Sequence, residues 1–85
     1  MSVTDKMLTV LNWEPTLRYQ MLDRMKADCE YFLEGGNRQE KYLWAGSVPA
    51  QIDYMKAIWW SFPDEERPKW LALEEIEEYE RRMED

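Results

Sequence analysis

The sequence predicts an all-α fold, a small helical bundle of three main helices plus a short corner helix. Two observations point there. Apolar residues recur at steps of three and four from Leu17 to Phe32, from Ile52 to Phe62 and from Leu73 to Met83, the period of helices that bury one face. The glycines at 35, 36 and 46 and the prolines at 15, 49, 63 and 68 all fall at the ends of those stretches and never inside them.

Taken in order, residues 1–15 show weak periodicity and end at Pro15, which restrains Glu14 to extended geometry. They read as an N-terminal tail with a short extended piece at Thr9–Trp13, leaving residues 16–85 as a single helical domain. Thr16 is the expected cap of the first helix. Its stripe is Leu17, Met21, Met25, Cys29 and Phe32, widened by Leu22 and Leu33. Gly35 and Gly36 stop it, one of them supplying a left-handed residue. Asn37-Arg38-Gln39-Glu40 has capping-box spacing, with Asn37 as cap and Glu40 reaching back, and would start a short helix through Lys41–Ala45 closed by Gly46.

Ser47 caps the next helix, where Pro49 in the first turn costs no hydrogen bond. Its stripe is Ile52, Met55, Ile58 or Trp59, then Phe62. Pro63 and Pro68 bracket an acidic connection, Asp64–Arg67. The last helix runs from about Ala72 to Met83 on Leu73, Ile76, Tyr79 or Glu80, and Met83. The glycine pair is a helix corner and not a phosphate cradle. Gly35-Gly36-Asn37-Arg38 lacks the lysine and hydroxyl that follow such loops, and no strand is predicted before it.

An 85-residue chain is one domain that buries only ~60–65% of its unfolded surface, so most apolar residues belong to the core. Five tryptophans are a generous supply for that core, which leaves rings for a partner. Cys29 is the only cysteine and there is no histidine. No intramolecular disulfide can form, a zinc cluster lacks ligands, and no metal or cofactor is expected. No apolar run reaches signal-peptide or membrane-span length, so a cytoplasmic location without membrane contact is expected. Met1 and the complete helix set predict a free-standing gene product.

Net charge is −7, and residues 64–85 hold 4 basic and 10 acidic side chains, a balance of −6. A chain without a basic face is not expected to bind nucleic acid directly.

Asp28-Cys29-Glu30-Tyr31-Phe32-Leu33, Gly36-Asn37-Arg38, Leu43-Trp44-Ala45-Gly46, Gln51-Ile52, Met55-Lys56 and Trp70-Leu71 occur in an order and spacing that resembles a known family. It is the eleventh type of the small domains associated with large polyvalent proteins, and the resemblance covers about residues 16–83. Those proteins are encoded by phages and conjugative elements and string together domains thought to help the element establish itself in a host. The resemblance implies a bacterial mobile element, cytoplasmic action and no established catalytic activity. Two positions depart from the family pattern: threonine is common where Ala72 stands, and a small or polar residue where Trp60 stands.

Trp59 and Trp60 point about 100° apart on a helix, so both cannot centre one stripe. Trp59 fits better, which leaves Trp60 at the edge as an interface anchor or folded over the Asp64–Trp70 connection. Trp44 and Trp70 are expected in the core; the sequence does not place Trp13. The run Glu74-Glu75-Ile76-Glu77-Glu78-Tyr79-Glu80 lines an exposed helical face, with Glu77–Arg81 and Glu78–Arg82 as i,i+4 pairs. One reading is a solvated face. The other is mimicry of nucleic-acid phosphates, since neighbouring carboxylates on a helix stand ~5–6 Å apart. Asp64, Glu65, Glu66, Glu84 and Asp85 would extend that surface.

General acid–base work needs a pocket that displaces a pKa, and these acids read as exposed. Ser47, Ser61 and Cys29 show no paired base. The expected function is therefore that of a non-catalytic binding protein, not an enzyme. It would inhibit a host defence or nucleic-acid-handling protein in the manner of small acidic anti-CRISPR proteins. The expected partner-binding residues are Trp60, Glu74, Glu77, Glu78, Asp64, Glu65 and Glu66, and the partner a basic nucleic-acid-binding effector. The alternative is a structural module that binds a phage- or plasmid-encoded protein, or forms a homodimer through Trp59 and Trp60.

Overall fold

Helix α1 (Pro15–Glu34), helix α2 (Val48–Trp60) and helix α3 (Leu73–Glu84) carry the fold, with 3₁₀ turns at Glu40–Tyr42 and Asp64–Glu66 between them. The structure, a computed structural model, describes residues 9–84; expectations for residues 1–8 and Asp85 lie outside the described residues. It is an all-α bundle, and among the described residues there is no strand. The three helices pack pairwise, most extensively α2 against α3. One core joins them: Leu22, Met25, Cys29 and Phe32 from α1, Ile52, Met55 and Ile58 from α2, and Ile76, Tyr79 and Met83 from α3.

Several local expectations are corrected. Residues 9–11 are helical, not extended, and Trp13 N donates to Val10 O at 3.0 Å to close the turn. Val10 is 1% exposed, so the packed body reaches back beyond the expected boundary at residue 16. Helix α1 begins at Pro15, with Glu14 in extended geometry as its cap, so Thr16 lies inside the helix. Its N-terminal stripe also turns: Leu17 is 47% exposed, and the position one turn before Leu22 belongs to Arg18. That side chain donates to Trp13 O at 3.0 Å and Ser61 Oγ at 2.6 Å, and its guanidinium lies over the Phe62 ring. Satisfied donors let a charged residue hold an apolar position while its stem packs.

At the corner, the left-handed residues are Asn37 (φ 55°) and Arg38 (φ 58°), not Gly35 or Gly36. The glycines serve proximity instead. A Cβ on Gly35 would stand 3.1 Å from the Tyr31 ring, and one on Gly36 3.1 Å from the Tyr31 carbonyl, to which both glycine N–H groups donate. With Asn37 left-handed, no capping box forms. Only a 3₁₀ turn follows, because Leu43 leaves helical geometry (ψ 135°) to enter the core. Glu40 reaches forward rather than back, its Oε2 accepting from Val48 N at 2.7 Å beside the Ser47 cap of α2.

Two buried contacts finish the frame. Gln51 is 0% exposed and joins the corner to α1, accepting from Ala45 N and donating to Met25 O. The Cys29 thiol meets Met55 Sδ at 3.6 Å. Desolvation, with the Asp28 charge adding to it, pushes that thiol up to about 12.

Candidate functional site

Trp60 ends helix α2 and is 55% exposed. Trp59 turns inward instead, its Nε1 donating to Leu71 O at 2.9 Å, while the two rings meet edge to face at 5.0 Å. Ile58, not Trp59, takes the fully buried stripe position. The Arg67 guanidinium lies 4.7 Å from the Trp59 ring centre and 4.6 Å from that of Trp60, and Asp64 holds it through an ion pair. Arg67 was invisible as a partner in the sequence, because nothing local signals that a connection folds back on the helix end. Trp60 is thus both exposed and packed on its own connection, which unites the two alternatives offered by the sequence. Attraction between the guanidinium and the ring favours this placement of Trp60.

The expected acidic residues lie on two elements, the turn after α2 and helix α3. Asp64, Glu65 and Glu66 form the exposed 3₁₀ turn directly after α2. Glu74, Glu77 and Glu78 are all exposed on α3. Lys56 and Glu80 pair at 2.9 Å across the α2–α3 seam. The two helices run antiparallel there, since Trp59, further along α2, bonds Leu71 just before α3. Trp60 lies one turn beyond Lys56, and Glu77 one turn before Glu80. Helical periodicity therefore sets both along the same seam.

Glu65, Glu66, Glu74 and Glu77 make no ion pair among the described residues. Arg81 pairs with Glu78 at i,i+3, in place of the expected Glu77–Arg81 and Glu78–Arg82 pairs. The Arg82 carbonyl accepts from Arg38 at 2.8 Å, so the end of α3 is anchored to the corner. The turn after α2 and the exposed side of α3 thus keep four carboxylates without an ion pair, while Asp64 and Glu78 are paired. The other tryptophans divide differently from expectation. Trp44 is half-buried, edge to face with Tyr54 at 5.2 Å, whereas Trp70 is 40% exposed and not a core residue. Trp13 packs against the core.

The candidate nucleophiles have other partners. Cys29 is buried against Met55, Ser47 accepts from Ala50 N, and Ser61 accepts from Arg18. Among the described residues no group of three or more acidic, histidine or cysteine side chains is placed to hold a metal ion. Among the same residues no helix is long and apolar enough to cross a membrane.

Comparison with curated proteins and with solved structures finds no match. The family model described as large polyvalent protein-associated domain 11 matches residues 15–83, from the first residue of α1 to within one residue of the end of α3. That match spans the whole three-helix body, Trp60 and the acidic turn included, and the chain belongs to that family.

Proposed function

We propose that this chain is a non-catalytic binding protein of a bacterial mobile element that engages a basic, nucleic-acid-handling protein of the host, such as a defence effector, and blocks it. The observation that carries the reading is the half-exposed Trp60 packed on Arg67, with the unpaired carboxylates of Glu65 and Glu66 on the turn that follows it and of Glu74 and Glu77 on the helix packed against α2. A large ring that loses water on docking supplies affinity. The surrounding negative charge speeds encounter with a basic groove and rejects acidic surfaces. Glu74, Glu77 and Glu78 stand at helical neighbour spacing, ~5–6 Å, and so present charge to the partner much as a nucleic-acid backbone does.

The test is a tagged pull-down from a bacterial lysate carrying CRISPR effectors, washed at low and high salt, with duplex DNA as competitor. Capture of a nucleic-acid-binding effector that DNA displaces, that salt weakens, and that both Trp60→Asp and the triple change Glu74→Gln, Glu77→Gln, Glu78→Gln reduce supports the proposal. Affinity unchanged by the triple variant at low salt rejects it.

A further inference from the structure

A concave surface lies between α1 and the 63–72 connection, and Trp60 is not among its lining residues. It is an open groove of about 450 Å³ lined by Tyr19, Gln20, Asp23 and Lys26 of α1 and by Trp70. Its volume falls within the ~300–1,000 Å³ of sites that seat a small ligand or a large side chain. The aromatic wall is fixed in place. Tyr19 donates its hydroxyl to Glu66 O, meets Phe62 edge-on at 4.7 Å, and meets Trp70 at 6.2 Å and 62°. Trp70 keeps 40% of its surface exposed, a large apolar area beside the groove.

The charges at the mouth are unequal. Lys26 is answered by Glu30 at 3.0 Å, and Glu30 also accepts from the Tyr79 hydroxyl at 3.1 Å. Asp23 has no such partner and makes no ion pair among the described residues. The groove therefore offers an indole face and one uncompensated carboxylate. An apolar occupant would strip water from Asp23 without replacing its hydrogen bonds. An anionic occupant would face Asp23, while Lys26, the one cation among the lining residues, is already paired. A guanidinium satisfies both features, stacking on an indole and offering a carboxylate two parallel N–H donors.

We infer that this groove is a socket for an arginine side chain of a partner protein, held between the Trp70 ring and the Asp23 carboxylate. The inference rests on the reading above that the partner is basic, and it adds a second contact point that recognises a single side chain rather than overall charge.

The test uses the isotope-labelled full chain observed by NMR and titrated with a blocked Gly-Arg-Gly peptide. The control peptide carries citrulline, which has nearly the same shape and no charge. The arginine peptide should shift the Trp70 indole signal, identified with Trp70→Leu, together with the backbone signals of residues 20–26. Affinity should fall about fivefold or more with citrulline or in Asp23→Asn, because a charge-assisted pair and a cation–π contact are both weakened. Equal binding of the two peptides, or shifts confined to α3, overturns the socket. The triple glutamine variant of α3 keeps the groove shifts while losing salt-sensitive capture in the pull-down. Failure of the socket is therefore read separately from failure of the acidic face.

Discussion

The side-chain amide of Gln51 donates from Nε2 to the main-chain carbonyl of Met25 at 3.2 Å, tying α2 to the middle of α1 inside the core. The same amide accepts through Oε1 from Ala45 N at 3.0 Å, so one fully buried residue also fixes the corner segment. Replacing it by leucine keeps much of the volume but orphans the Ala45 N–H. An unsatisfied donor of this kind costs ~1–3 kcal/mol. Gln51→Leu should lower the urea midpoint accordingly without changing the slope of the transition. An unchanged midpoint would show that the corner does not depend on this brace.

The three stripes on Met25–Phe32, Ile52–Ile58 and Ile76–Met83 were legible because each helix reports its own buried face through its period. What escaped was settled by partners distant in sequence. Arg18 takes an apolar position because Ser61, 43 residues away, and Trp13 accept its hydrogen bonds. Glu40 abandons its own turn because the free N–H of Val48 lies within reach. Tyr79, expected only as an alternative to Glu80, turns inward and donates to Glu30, while Glu80 stays at the seam for Lys56. The outward phase of Trp60 was readable from its place on the helix, but its contact with Arg67 needed the fold of the connection.

The buried thiol of Cys29 gives the protein an alkaline limit that can be read directly. Burial raises its pKa from 9.0 to about 12, so the folded chain keeps a proton that the unfolded chain releases. A raised folded value means that the associated stability is complete below pH 9 and is lost as pH climbs from there through about 12. The loss from one such group approaches about 1.4 kcal/mol per pH unit once the unfolded thiol is ionised. Lys26 and Tyr79 are also shifted upward, Lys26 by its hydrogen bond to Glu30 and Tyr79 by burial, and they act in the same direction at higher pH. Urea melts of the parent and of Cys29→Ala at pH 8, 9 and 10 separate the thiol from these groups. The parent should lose stability faster across that series. Parallel curves would mean that Cys29 is not desolvated. At pH 8 a thiol reagent should label Cys29 only after denaturant is added.

Ala72 precedes the first residue of α3, and Glu75 already reaches back to its N–H with Oε1 at 3.3 Å. Half of a capping box is therefore built, with the glutamate in place and no hydroxyl to answer it. Glu75 N and Ile76 N turn instead to the Ala72 carbonyl, at 3.0 and 3.3 Å. Threonine at 72 would offer the Glu75 N–H a side-chain acceptor at the cap beside the Ala72 carbonyl it now uses, and complete the reciprocal pair. A cap of this kind is worth ~1 kcal/mol, which in a domain of this size raises the melting temperature by roughly 4–8 °C. The gain should vanish when Ala72→Thr is combined with Pro at 75, which removes the N–H that the hydroxyl would bind, and should survive Glu75→Gln, which keeps the back-reaching side chain. A melting temperature unmoved by Ala72→Thr alone would place the true start of α3 elsewhere, and with it the phase that sets Glu74, Glu77 and Glu78 on the outer face.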